Sequence, residues 1–284
     1  MDTQDYIEVA LKVASEEQAE IVEALVSDLG FDSFQYEEGE QPVLKCYIQS
    51  SLFVEDDFKD ALTCLPDFTL EFEVSKMEAA DWNEEWEKTG FTVIEVGDVR
   101  VCPAGCEEVE TDDSKMTIWL NPKMAFGTGH HETTYMMMAT MQDIREEIAG
   151  KSVMDLGCGT AVLAILAAKL GASHVSAIDI DATAVRSSLG NVHLNGLDFE
   201  VICGDASSLK EGAYDVLLAN IHRNIIIADL QRYAGAVRQG GRLLLSGFYE
   251  SDVPDIVAAA AAAGFTLVSS RTRSSWACLC LSRG

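Results

Sequence analysis

The stretch Val153-Met154-Asp155-Leu156-Gly157-Cys158-Gly159-Thr160-Ala161-Val162-Leu163 constrains this chain more than any other. An apolar run breaks into two glycines and an apolar, helix-forming run resumes directly after them, which reads as a strand, a tight turn and a helix. Glycine has no Cβ, so Gly157 and Gly159 let the turn take positive φ and let its backbone lie against a ligand. The helix that follows offers unpaired N–H groups at its N-terminus. Strand, glycine turn and helix in this order predict a nucleotide-type pocket in a doubly wound α/β sheet.

The acids narrow the ligand. Asp179 ends a second apolar strand, Val175-Ser176-Ala177-Ile178, where an acid meets a ribose in such folds, and so fits NAD and S-adenosylmethionine alike. Asp155 lies two residues before the first glycine, where a carboxylate would repel a pyrophosphate, and Val162 stands at the third glycine of the G-x-G-x-x-G pattern. A sulfonium cofactor carries positive charge and no phosphate. Gly204-Asp205 follows a third strand, Phe199 to Cys203, and supplies an acid able to accept from an adenine amino group, although Asp205 alone suits a plain turn equally well. Three acids after three successive strands favour S-adenosylmethionine.

From Lys151 onward, strands at 152–156, 174–178, 199–203, 214–219 and 241–246 alternate with helices, among them the alanine-rich 255–263, and two adjacent strands at 266–272 and 275–281 close the chain. This pattern predicts an α/β fold, a Rossmann-like seven-stranded methyltransferase domain with an antiparallel hairpin at its edge. Its fourth strand ends Leu217-Leu218-Ala219-Asn220-Ile221-His222, setting Asn220 at the ligand-binding end of the sheet. Ahead of it, Tyr6 to Leu11 alternates as a strand, Ser15 with Gln18 forms a capping box, and the helix they start stops at Gly30. Strands Phe31 to Tyr36 and Val43 to Ile48, a helix Asp56 to Cys64 and a strand Phe68 to Val74 complete a βαββαβ order, that of a small α+β ferredoxin-like domain. It holds no catalytic cluster and leaves one sheet face open, so it reads as a substrate-recognition domain. Trp82 and Trp86, one helical turn apart, mark a connecting helix whose tryptophans pack between domains. The expected division is thus 1–76 for recognition, 77–90 for the linker and 91–284 for the methyltransferase domain, whose early strands at Thr92 to Val96 and Met116 to Leu120 lead into a loop from Asn121 to Thr134.

Charge separates the two ends. Residues 1–120 hold 31 acids and 7 bases, net −24, and residues 121–284 hold 16 acids and 13 bases, net −3. Such a surface repels a phosphate backbone and attracts a basic protein; solubility alone accounts for it equally well. We expect a basic protein partner, no direct nucleic-acid binding and a monomer. No apolar run reaches membrane-spanning length and the first residues lack the basic start of a signal peptide, which points to the cytoplasm. Cys102-x3-Cys106 and Cys278-x-Cys280 have no zinc spacing, so no metal is expected.

Three stretches then combine. Met124-Ala125-Phe126-Gly127-Thr128-Gly129-His130-His131-Glu132-Thr133-Thr134, Asp155-Leu156-Gly157-Cys158-Gly159-Thr160 and Ala219-Asn220-Ile221 lie behind a small acidic domain and a Trp-containing linker. Together they resemble the bacterial ribosomal protein L-eleven methyltransferase family over nearly the whole chain. The glycine motif alone matches any Rossmann-like methyltransferase; the G-T-G-x-H-x-T-T loop narrows the choice. The resemblance implies an S-adenosylmethionine-dependent protein-lysine N-methyltransferase acting on lysine side chains and the N-terminal amine of that large-subunit protein, with the first domain gripping the substrate. It also implies that Thr134, Gly157, Asp179 and Asn220 contact the cofactor. Phe126, Asp155, Gly159 and Asp205 complete the expected cofactor set, and Asn220 is the candidate for positioning the amine.

Departures from the family pattern are Lys123 in place of a glycine, Ala161 where many methyltransferases have a third glycine, and His222-Arg223 where a small or apolar pair is commoner. A lysine ammonium, with a pKa of about 10.4, must lose a proton before it attacks. A desolvated site lowers that pKa and Asn220 orients the amine, so His130, His131 and His222 suit loop packing better than base catalysis. A dinucleotide oxidoreductase would want a third glycine and no acid at 155; an RNA methyltransferase would want a basic face. A non-catalytic binding module would show a spoiled pocket, whereas every pocket position here is of the expected type.

Overall fold

The computed structural model describes residues 6–27, 29–37, 39, 41–50, 52–63, 71–77, 93–104, 115–121 and 131–284. The chain divides into two compact units, Met1–Gly90 and Phe91–Gly284.

In the first unit, β1 (Tyr6–Lys12) buries Ile7, Val9 and Leu11 and turns the alternate residues outward, the period of a half-buried strand. Helix α1 (Glu16–Ser27) follows. Ser15 Oγ accepts from the Gln18 N–H at 3.3 Å as a capping box requires, but Gln18 Oε1 accepts from the Ala14 N–H at 2.6 Å, one residue before the expected donor. Gly30, at φ +96°, turns the chain after the helix. Then come β2 (Phe31–Glu37), β3 (Val43–Gln49), α2 (Glu55–Leu62) and β4 (Phe72–Met77). The sheet order is β2-β3-β1-β4 with every pair antiparallel, and Ala19, Val22, Val26, Phe58 and Leu62 of the helices share one core with the strands. The last strand runs past the expected Val74 to Met77, because its extent follows its pairing with β1, from Leu11↔Phe72 to Tyr6↔Met77; its expected start at Phe68 lies outside the described residues. Residues 78–90 of the expected linker helix, with Trp82 and Trp86, lie outside the described residues.

The second unit opens with β5 (Ile94–Val96), β6 (Val99–Pro103) and β7 (Met116–Leu120), a three-stranded sheet in that order. The middle strand went unread in the sequence, although Val96-Gly97-Asp98-Val99 carries a hairpin signal and Gly97 takes φ +57°. After α3 (Glu132–Asp143) and α4 (Arg145–Ile148) the alternation expected of the α/β region appears. It runs β8 (Ser152–Leu156), α5 (Val162–Lys169), β9 (His174–Asp179), α6 (Ala182–Leu194), β10 (Glu200–Cys203), β11 (Tyr214–Asn220), α7 (Arg223–Ala236), β12 (Val237–Tyr249), α8 (Val253–Ala262), β13 (Phe265–Arg273) and β14 (Trp276–Arg283).

These strands form a large, parallel-rich sheet, ordered β10-β9-β8-β11-β12-β14-β13, in which β14 is antiparallel to both its neighbours. Along β11, Val216 and Leu218 join the core cluster on one face, and Leu217 and Ala219 join that on the other. Burial on both faces explains why the parallel strands read as unbroken apolar runs. The chain works outward from β8 through β9 to β10, then returns to β11 on the other side of β8. That reversal falls between β8 and β11, and doubly wound sheets bind ligands in the crevice at the carboxyl ends of such a pair. No helix among the described residues is long and apolar enough to cross a membrane.

Candidate functional site

The glycine turn sits at this crevice. Gly157 and Gly159 take φ +73° and +55°, and the Gly157 and Cys158 N–H groups donate to the Ile178 carbonyl at 2.8 and 3.0 Å. The turn therefore wraps the end of β9. Ala161, where a third glycine is common, takes the left-handed conformation (φ +63°), a strained backbone for a residue with a Cβ.

Asp179, the last residue of β9, is held by two backbone donors. Its Oδ2 accepts from the Gly159 N–H at 2.8 Å and its Oδ1 from the Asp181 N–H at 3.0 Å. A carboxylate has about four lone-pair sites, so acceptor capacity remains for a vicinal diol. The next residue, Ile180, is 77% exposed, an apolar surface beside that acid.

Asp155 is placed quite differently. It is 2% exposed, and its Oδ2 accepts from the Ala164 N–H at 3.1 Å. Ala161, the N-cap of α5, has no side-chain oxygen, so the carboxylate from β8 takes over the capping of that helix. Burial pushes its pKa up to about 7, against the lowering effect of the Ala164 N–H and with a further push from the charge of Asp179. Asp205 is exposed. Its Oδ1 accepts from the Ser207 N–H at 2.8 Å and from the Ser207 hydroxyl at 2.5 Å, bonds that hold its carboxyl below the usual range and cap the short turn Ala206–Ser208. The link to its neighbour strand is through Gly204, whose N–H donates to the Asp179 carbonyl at 2.9 Å.

Asn220 ends β11 on the opposite side of the crevice. Its Nδ2 donates to Thr134 Oγ1 at 3.3 Å, and Thr134 is buried in the first turn of α3. Its Oδ1 is buried and accepts no hydrogen bond from the described residues. An orphaned buried acceptor costs free energy, and such a group calls for a ligand donor. Ile221 next to it is gripped by two glycines. A Cβ on Gly157 would lie 2.3 Å from Ile221 Cγ2, and a Cβ on Gly247 would lie 2.3 Å from the Ile221 carbonyl oxygen. Gly247, at φ +95° in a bulge of β12, escaped the sequence reading even though a lone glycine within a strand marks such a bulge.

The histidines are occupied or peripheral. His131 caps α3, its Nδ1 accepting from the Thr133 N–H at 3.3 Å and lying 2.7 Å from the Thr133 hydroxyl. Its ring meets Trp276 edge-on at 4.8 Å, Tyr249 stacks on the same tryptophan at 4.3 Å, and burial lowers the imidazole pKa. His222 is exposed at the start of α7. Phe126 and His130 lie outside the described residues. Of the expected residues, Thr134, Asp155, Gly157, Gly159, Asp179 and Asn220 thus gather around the ends of β8, β9 and β11, with Asp205 one strand farther out. Thr134, Asp155, Asp179 and Asn220 bring acceptor oxygens to these strand ends, which suits a ligand carrying hydroxyl and amino groups, and the unmet Asn220 Oδ1 fits it.

The chain matches the ribosomal protein L11 methyltransferase family over residues 5–284. It is 41% identical over 278 residues to the ribosomal protein L11 methyltransferase of Phocaeicola vulgatus, covering 96% of this chain and 97% of that one. It is 39% identical over 264 residues to the protein of the same name from Porphyromonas gingivalis, covering 92% and 89%. Among solved structures, the ribosomal protein L11 methylase of Lactobacillus delbrueckii subsp. bulgaricus superposes with a TM-score of 0.63 at 27% identity, covering 68% of this chain and 99% of that one. With the family model matching nearly the whole chain and relatives about 40% identical over nine-tenths of it, the chain belongs to the ribosomal protein L11 methyltransferase family.

Proposed function

We propose that this protein transfers methyl groups from S-adenosylmethionine to lysine side chains and the N-terminal amine of ribosomal protein L11. The observation that carries the reading is the buried, unpartnered Asn220 Oδ1 beside Thr134, at the strand-order reversal of a chain from this family. In this reading Asp179 takes the ribose hydroxyls, Ile180 and Asp205 face the adenine, and Gly157, Gly159, Thr134, Phe126 and Asn220 line the remainder of the cofactor site. Asp155 supports it from beneath by capping the helix that follows the turn.

When bound, S-adenosylmethionine supplies an electrophilic sulfonium methyl. The residues have to present a neutral amine in line with it. Asn220 Oδ1 accepts one amine N–H and so directs the nitrogen lone pair, while Thr134 fixes the carboxamide through Nδ2. Removing water from the amine lowers its pKa, and the proton leaves to solvent, with His131 Nδ1 already committed to Thr133.

The reading extends to architecture and setting. A ferredoxin-like recognition domain at 1–76, a linker helix at 77–90 and a seven-stranded methyltransferase domain at 91–284 are supported by the β2-β3-β1-β4 order of the first sheet and the division after Gly90. A net charge of −27 supports a basic protein partner rather than nucleic acid, and we place the enzyme in the cytoplasm as a monomer. The test is mass spectrometry of purified L11 incubated with S-adenosylmethionine and this protein. Wild type adds methyl units to L11, and Asn220→Ala loses at least about tenfold in kcat/KM, the cost of a bond to a charged or reacting group. Unmodified L11 under saturating cofactor, or an Asn220→Ala variant as active as wild type, would defeat the reading.

A further inference from the structure

We infer that Asn191 is a positioning residue that sets the glycine turn for cofactor binding; the inference rests on the cofactor reading above. Helix α6 and its C-cap Asn195 direct Ser188, Asn191 and Asn195 to one side, at i, i+3 and i+7. Ser188 and Asn191 are fully buried, where polar groups are costly unless bonded. Each of the three is bonded to a chain segment outside its own helix.

Ser188 Oγ donates to the Gly159 carbonyl at 2.7 Å and meets Cys158 Sγ at 3.3 Å. Asn191 Nδ2 donates to the Thr160 carbonyl at 3.0 Å, and Asn191 Oδ1 accepts from the Asn121 N–H at 2.8 Å. Asn195 Nδ2 donates to the Trp119 carbonyl at 2.6 Å and Asn195 Oδ1 accepts from the Trp119 N–H at 2.9 Å. One helix face therefore holds residues 158–160 of the turn and the end of β7, and of the three side chains Asn191 bonds both. Asn121 is also where the chain departs toward the Met124-Ala125-Phe126 motif.

The position on the turn matters. Asn191 holds the carbonyl immediately before Ala161, whose left-handed backbone persists only when its surroundings over-determine it. Peptide planes are rigid, so holding the Gly159 carbonyl against α6 aims the Thr160 N–H away from that helix. Loosening this brace lets the turn relax out of the shape that meets the ligand. The turn touches the cofactor equally before and during transfer, so the loss falls on uniform binding and raises KM for S-adenosylmethionine more than it lowers kcat.

The test compares Asn191→Leu, which keeps the branched side chain of four heavy atoms and removes the bonds, with Val192→Ala, a neighbouring buried apolar position on the same helix. Cofactor Kd by calorimetry, and KM and kcat with L11, are measured at a temperature where melting curves show every variant folded. Asn191→Leu is expected to weaken Kd and raise KM about tenfold, with kcat changed by less than about threefold. Val192→Ala is expected to lower Tm with Kd unchanged. Asn191→Ser, too short to span both partners, is expected to behave like the leucine variant and serves if the latter does not fold. Wild-type Kd in both Asn191 variants, or a fall in kcat at constant KM, overturns the inference. Wild-type protein that fails to bind S-adenosylmethionine overturns the cofactor reading itself and this inference with it.

Discussion

The two units carry their acids in opposite ways. Acids crowd the first unit, which holds 24 of the 47 in its 90 residues, and its ion pairs Lys12–Glu71 at 2.7 Å and Lys59–Glu55 at 2.5 Å are exposed, with both partners of each pair about half accessible. Exposed pairs of this kind contribute little singly and act together as a screened field. The second unit spreads 23 acids over 194 residues, and several are tied to backbone N–H groups: Asp155 to Ala164, Asp179 to Gly159 and Asp181, and Asp215 to Ser152. Each of these positions a particular piece of chain. The contrast shows that the number of charges describes a surface, whereas burial and backbone contact describe a site.

The sharpest way to break that contrast is through Asp155. Its pKa rises from 3.8 to about 7 in the folded protein, chiefly by burial, so between those values the folded state binds more protons than the unfolded one. Stability from this group is therefore full below about pH 4 and lost as pH climbs to about 7, a change of up to about 4 kcal/mol. Asp155→Asn keeps an acceptor for the Ala164 N–H and cannot ionise. Urea unfolding of both proteins from pH 4 to 8 is expected to show the variant gaining on wild type across that window. Parallel curves would mean that the buried acid carries no such linkage.

Asp179 tests the same unit at the next scale. Asp179→Ala removes the acceptor shared by the Gly159 and Asp181 N–H groups and by the proposed ribose. Calorimetry is expected to show cofactor binding weakened ten- to hundredfold, or about 1.5–3 kcal/mol for a charged hydrogen bond. Binding as tight as wild type would remove Asp179 from the site.

How much of this was legible in the sequence depends on how far apart the partners lie. Gly157, Gly159 and Asp179 were readable because a strand end, a positive φ and a following acid are local signals. The order of elements followed from periodicity, and β4 ran past Val74 to Met77 because its extent follows β1, more than sixty residues away. Asp155 was legible as an acid but not as a helix cap, since nothing local shows that Ala161 leaves Ala164 without a partner. Ser188, Asn191 and Asn195 carried no sequence signal that set them apart. Their partners at Gly159, Thr160, Asn121 and Trp119 are 29 to 76 residues distant.

The smallest effect is expected from the acids of the first unit, and it separates recognition from solubility. If their field steers a lysine-rich substrate, kcat/KM for L11 falls severalfold as salt rises from about 0.05 to 0.5 M, because the Debye length shrinks from about 14 to about 4 Å. Cofactor Kd in the same series should stay nearly constant, since the contacts proposed for it are short and include a buried acceptor at Asn220. Reversing the charges of Glu37, Glu38 and Glu40 should reproduce the high-salt rate at low salt while leaving Kd alone. That pairing of results would assign the first unit to substrate capture and the second to chemistry. A flat salt profile for L11 turnover would instead leave the acids as a solubilising surface, and recognition would then have to rest on uncharged contacts.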